Sequence, residues 1–393
     1  MYHKNMNKYI TFLIILFGLK PNMSYLLGNE LGFWIPEIIC WIAIFLIIMK
    51  IKTFKINKDI NVYCLIAIIS INLLAITIGL FKFNNANVLD FLEVFRAIIY
   101  FLIYIILKNS EVSSFVIAKS VIIVNIVNFF IGLSQLLDLP TKNILKYIYK
   151  INIGVSMDSS YKRIGGTLGN PNYLGIWSVF TIFLIIKYYK GNKIKKSLIV
   201  LISFINLIFT GSRTALILLG LGIIVYMLIQ LKYKISLKRI VRLNVIFFGF
   251  ILCTYFFINN ANNIGRIGEL MQDLSTFNNR TEVWKIALDA LAENYMFGVG
   301  IAKNSITTFD NNFIEIFVRY GLLGFSIYSL FFANNLLKAL KRRWIDIIIN
   351  ILFIISMLVT STYRVTPLVI IYMIIISDSV REVKEVDICD NNN

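Results

Sequence analysis

Four groups of charged and amide residues interrupt an otherwise apolar chain, and each has a spacing that could serve chemistry. Glu93 and Arg96 stand three residues apart on one helical face, near the end of an apolar run. Such a pair either holds a helix in its bundle or touches a ligand. The second group, Tyr161-Lys-Arg163-Ile-Gly-Gly-Thr-Leu-Gly-Asn170-Pro171-Asn172-Tyr-Leu-Gly175, opens another apolar run. Asn170 suits a helix cap and Pro171 the first turn. Arg163 beside a glycine-dense turn with exposed N–H groups also makes an anion site. The third is the tight turn Thr210-Gly-Ser212-Arg213, whose arginine either snorkels to an interface or binds a phosphate in bidentate fashion. The fourth joins Asn279-Arg280-Thr-Glu-Val-Trp284 to Asp310-Asn311-Asn312-Phe-Ile-Glu315, continuing to Arg319-Tyr-Gly321-Leu-Leu-Gly324. Here Asp310 either caps a helix or acts as a base. Glu315 and Arg319, four residues apart, either pair structurally or serve a reaction from roughly 6–12 Å inside the bilayer.

The elements that must position these residues are read from hydropathy. Of 393 residues, 58% are hydrophobic and 15% charged, with a mean hydropathy of +0.76. That surface needs lipid as its solvent. Apolar runs at 9–27, 33–51, 60–81, 88–107, 120–137, 169–189, 197–211, 213–231, 240–258, 311–337, 345–361 and 364–377 predict one all-α bundle over 1–393 that crosses the bilayer about twelve times. The first run, broken by Lys20-Pro21, has no small-residue cleavage site and is expected to be a retained helix.

The net charge of +18 suggests topology and contact with anionic lipid rather than nucleic acid. Most of the 39 lysines and arginines fall in alternate connections, which the positive-inside rule makes cytoplasmic together with both termini. All four polar groups then lie on the outer side. So do two long loops, 138–168 and 259–310; the second is expected to contain an amphipathic helix over 280–294, capped by Asn279 and ended by Gly298 and Gly300. Cations gathered at the outer leaflet suggest an anionic, membrane-borne, extracytoplasmic ligand, a description that a polyprenyl diphosphate sugar fits. Four scattered cysteines show no metal spacing or disulfide framework, and no metal or cofactor is expected.

In order and spacing the Arg163–Gly175 run, the Gly-Ser-Arg213 turn, Asn279-Arg280…Trp284…Phe-Gly-Val-Gly300 and Asp310…Gly324 resemble the O-antigen ligase and polymerase superfamily. The motifs cover about 160–325. The resemblance implies a metal-independent glycosyltransferase of the GT-C type in a bacterial plasma (inner) membrane, with an undecaprenyl-diphosphate-linked glycan as donor and a second such glycan as acceptor. It implies that Arg163, Arg213, Arg280 and Arg319 hold the diphosphate, with Asn170 and Asn172 beside them, and that a base activates the acceptor hydroxyl. Glu93, Arg96 and Asn311 take secondary places.

Ligases of this superfamily usually carry a histidine just before the asparagine of the last motif. Here that position is Asp310, and the one histidine of the chain is His3. The Asp-Asn start is more like the repeat-unit polymerases, often called Wzy. That leaves Asp310 or Glu315 as base, Arg280 assisting, or the arginines alone. The expected function is a polymerase of a capsule, exopolysaccharide or O-antigen, working with a flippase and a chain-length regulator. The alternatives are a ligase to another acceptor and a flippase or transporter of the same lipid. A transporter predicts midplane charges and internal repeats, which the sequence lacks.

Overall fold

The computed structural model describes residues 2–231, 284–301 and 310–381 apart from short gaps, the longest at 84–89 and 150–162. The expected ninth span, Asn279 and Arg280 lie outside the described residues. Helices dominate: α1 (Tyr2–Gly18), α2 (Ser24–Leu27), α3 (Asn29–Lys50), α4 (Ile60–Phe83), α5 (Phe91–Lys108), α6 (Ser114–Leu136), α7 (Thr141–Tyr149), α8 (Pro171–Tyr188), α9 (Lys193–Phe209), α10 (Arg213–Leu231), α11 (Asn312–Leu340), α12 (Trp344–Val359) and α13 (Thr366–Ile376). Single 3₁₀ turns lie at Gly166–Leu168 and Thr362–Arg364, and β1 (Val112–Ser113) pairs in parallel with β2 (Val380–Arg381).

Every expected span except the ninth has a described helix, with two differences. The first expected run, 9–27, is α1 ending at Gly18, followed by the separate turn α2 after Pro21. The 138–168 loop contains the nine-residue helix α7. Among the described residues, Ile60–Phe81, Ser114–Leu136 and Asn312–Leu340 are long and apolar enough, by length and composition, to cross a bilayer. Their outward faces carry large apolar side chains, with Phe81 90% exposed and Phe130 64%.

Hydrogen bonds between helices pin the bundle at two levels, as expected where apolar burial alone gives little direction. At one end, Asn61 Nδ2 of α4 donates to Asn335 Oδ1 of α11 (2.7 Å), and Tyr104 Oη of α5 donates to Asp59 Oδ2 (2.9 Å). Burial opposes ionisation of Asp59, but the Val62 amide, the Tyr104 hydroxyl and Lys108 outweigh it and hold the carboxyl below its ordinary range. Toward the other end, Tyr320 Oη of α11 donates to Asn72 Oδ1 of α4 (2.8 Å). Asn125 of α6 and Ser203 and Asn206 of α9 form a similar clamp. The first end carries Lys108, Lys338 and Arg342. The opposite end carries Glu93, Asp310, Glu315 and Arg364, together with the Lys20–Glu37 pair.

Candidate functional site

Two carboxylates and three guanidinium groups meet where α5, α11 and the Thr362–Arg364 turn converge. Glu93 Oε2 lies 2.7 Å from Arg96 Nη1, and Glu315 Oε1 lies 3.0 Å from both Arg319 Nη1 and Arg364 Nη1. Arg364 also bonds Glu93 through Nε and Nη2, and thereby bridges two carboxylates on different helices. Arg319 Nη1 is 4.0 Å from Glu93. Asn312 completes the arrangement: its Nδ2 donates to Glu315 Oε2 (3.0 Å) and its Oδ1 accepts from Tyr363 N (2.9 Å). Glu315 is 3% exposed and Arg319 2%, so removal of either carboxylate would strand buried cations.

The Arg163 loop is a second assembly. Side chains of α6 hold it: Gln135 Oε1 accepts from Gly165 N (3.0 Å) and Gly166 N (3.3 Å), while Asn128 Oδ1 accepts from Thr167 N (2.8 Å). Gly166 has φ +55°, and a Cβ there would meet Asn128 Oδ1 at 2.1 Å, so only glycine fits. This loop delivers Arg163, whose Nε donates to Thr210 O (2.7 Å) and whose Nη2 donates to Asn172 Oδ1 (3.2 Å). Arg163 thus joins the α9–α10 turn to the start of α8 and sets Arg213 beside the loop. Asn170 caps α8 by accepting from Asn172 N (2.8 Å). The next residue, Tyr173, lies near Thr360, Arg364, Asp310 and Glu315, and links the two assemblies.

A break in α11 frames the site from below. Gly321 has φ 63° and ψ −164°, outside the helical region. The backbone groups freed there are satisfied by the 294–301 segment: Val299 N donates to Val318 O (2.9 Å) and Gly300 N to Arg319 O (3.1 Å). In return, Leu322 N donates to Tyr295 O (2.8 Å) and Leu323 N to Met296 O (3.2 Å). Buried in lipid, an interrupted helix needs such partners. The close fit requires glycine on both sides, because a Cβ on Gly298 would meet the Arg319 carbonyl group at 2.6 Å and one on Gly321 would meet Gly298 N at 2.5 Å. The segment bearing Gly298 and Gly300 is thus seated against the Arg319 backbone.

The predicted site residues therefore fall in one region, with differences in role. Glu93 and Arg96 form the expected pair, and so do Glu315 and Arg319. The cap of α11 is Asn311, accepting from Phe313 N (2.9 Å) and Ile314 N (3.2 Å), rather than Asp310; Asp310 is exposed just ahead of it. In the 280–294 helix, described positions from Trp284 to Leu291 are helical, with Leu291 buried and Leu288 42% exposed. Arg364, Gln135 and Asn128 are not singled out by the sequence, and Asn312 and Tyr173 stand in its motifs without an assigned role. Arg364 had one usable signal, a lone arginine in a short turn between two apolar runs, as at Arg213.

The family described as O-antigen ligase matches residues 198–329, a stretch that includes the Thr210–Arg213 turn, the 294–301 segment and the broken helix. The ComP-specific O-oligosaccharyltransferase of Acinetobacter baylyi is 24% identical over 277 residues, which cover 66% of this chain and 47% of the relative. The chain thus aligns with about half the length of that curated relative. The family match includes Arg213, Gly298, Gly300, Glu315, Arg319 and Gly321, and with that relative it supports placing this membrane protein with the O-antigen ligase/polymerase superfamily.

Proposed function

We propose that this protein is a polysaccharide repeat-unit polymerase, with about twelve spans and a GT-C-type arrangement, at the outer face of a bacterial plasma membrane. The observation that carries this reading is the convergence of Arg163, Asn172, the Arg213 turn, Tyr173, Asp310 and Arg364 at the bundle end opposite Lys108 and Lys338. Arg163 and Arg213, with Arg280, hold the diphosphate of an undecaprenyl-linked glycan, and Asn170 and Asn172 fix the loop that presents them. Asp310, exposed at the mouth, takes the proton of an acceptor sugar hydroxyl. That oxygen attacks the anomeric carbon, the bond from this carbon to the phosphate oxygen breaks, and the lipid diphosphate leaves with the electron pair, stabilised by the arginines. Glu315 suits positioning better than proton transfer, because Arg319, Arg364 and Asn312 occupy its oxygens. Glu93, Arg96 and Asn311 hold the helices that carry the site. A flippase and a chain-length regulator of the same pathway are the natural partners.

A ligase passing finished glycan to a different acceptor is the second reading, favoured by the description of the matched family and the name of the relative. The presence of Asp310 in place of a histidine favours the polymerase. Deleting the gene separates them: a polymerase leaves single repeat units on the carrier or surface, whereas a ligase leaves full-length polymer still attached to its lipid. Asp310→Asn restores the deletion phenotype if Asp310 is the base. Normal polymer from that variant removes the assignment.

A further inference from the structure

Beneath the proposed transfer site, Glu93, Arg96, Glu315, Arg319 and Arg364 line a partly open cavity with about 30 Å³ of water-accessible space, together with Asn72, Tyr100 and Tyr363 among others. Three guanidinium groups face two carboxylates, so the lining carries one positive charge in excess. Beyond the lining, Lys20 with Glu37 sums to zero; the buried Asp90, one turn before Glu93, and the exposed Asp310 do not line the cavity. The excess falls on Arg319. It is 2% exposed, its Nη1 is engaged by Glu315, and its Nε and Nη2 find no hydrogen-bond partner among the described residues. A buried guanidinium with two unmet donors is costly unless something fills the gap. Water would satisfy the donors and leave the charge, whereas an anion answers both.

We propose that this cavity binds a single small monovalent anion of halide size against Arg319, distinct from the diphosphate held higher at Arg163 and Arg213. The water-accessible space of about 30 Å³ around the unmet donors is on the scale of one halide ion. The anion would cross-link α5, α11 and the Thr362–Arg364 turn, and so keep Arg364 and Asn312 under Tyr173 and Asp310.

Thermal unfolding of the purified full chain in detergent tests this, in sodium chloride, sodium bromide or sodium gluconate at equal ionic strength. A saturable rise in melting temperature of about 2–4 °C is expected with either halide over gluconate. Arg319→Gln abolishes the difference. If that variant does not fold, Arg96→Gln removes the same excess charge from a side chain 19% exposed and should likewise abolish it. Equal melting temperatures in halide and gluconate overturn the site, as does an undiminished halide effect in Arg96→Gln. Inorganic diphosphate that displaces the halide effect in competition overturns the size assignment and returns Arg319 to the diphosphate.

Discussion

Replacing Gly321 by Ala tests whether the break in α11 is a built feature that holds the outer segment beneath the site. At φ 63° and ψ −164°, Gly321 occupies a conformation essentially reserved for glycine, and an L side chain there costs on the order of 1–3 kcal/mol. A Cβ would also meet Gly298 N and the Met296 carbonyl group at 2.5 Å, all backbone atoms that cannot rotate away. If the segment withdraws to relieve the contact, the four hydrogen bonds from Val299, Gly300, Leu322 and Leu323 are lost. Each is worth about 1 kcal/mol net, more where the stranded group is buried. The expected loss is therefore about 5–7 kcal/mol. It should appear as a lowered melting temperature of the detergent-purified protein and as increased protease access at 294–301. Gly191→Ala is the control, since its Cβ would meet only the Tyr189 side chain near an exposed turn, and a change within about 0.5 kcal/mol is expected. A Gly321→Ala protein with unchanged melting temperature and protease pattern would show that the break is not constrained by the segment seated in it.

Other substitutions probe the remaining contacts. Arg364→Gln leaves Glu93 and Glu315 short of a shared cation and should destabilise by about 3–5 kcal/mol, read by thermal unfolding. A loss below about 1 kcal/mol would mean the bridge is not formed. Gln135→Leu strands the amides of Gly165 and Gly166, at about 1–3 kcal/mol each, and should loosen the Arg163 loop in hydrogen exchange while sparing α4 and α11. Asn170→Ala removes the cap of α8 at about 0.5–2 kcal/mol, and Asn170→Asp should restore most of it.

The bundle was legible wherever one short-range rule decides the outcome. The 60–81 run was read nearly to its ends because the polar stretch from Lys55 to Asp59 bounds it, and α4 begins at Ile60. The Glu315–Arg319 pair follows from helical spacing alone. Arg364 was not legible, because its partner Glu93 is 271 residues away and nothing local points to it. Nor were Gln135 and Asn128, which sit in an apolar run and look like tolerated polar residues until the Gly165–Thr167 amides are placed against them. The α11 break was hidden for a related reason. The sequence Tyr320-Gly-Leu-Leu-Gly324 continues the helical pattern, and only insertion of a distant segment makes a departure from the helix affordable in lipid. Its trace in the sequence was the recurrence of glycines in both motifs, Gly298 with Gly300 and Gly321 with Gly324.

In the proposed function, Asp310 and the nearby arginines join lipid-linked units into a longer chain. The most direct measurement reconstitutes the full chain in liposomes with an undecaprenyl-diphosphate-linked oligosaccharide from the same host and follows glycan length by gel and mass spectrometry. The expected product is a ladder spaced by one repeat unit, lost in Asp310→Asn and in Arg213→Ala protein that is folded and inserted. Glycan transferred intact to a different acceptor without lengthening would contradict it, as would a ladder of normal length from the Asp310→Asn protein.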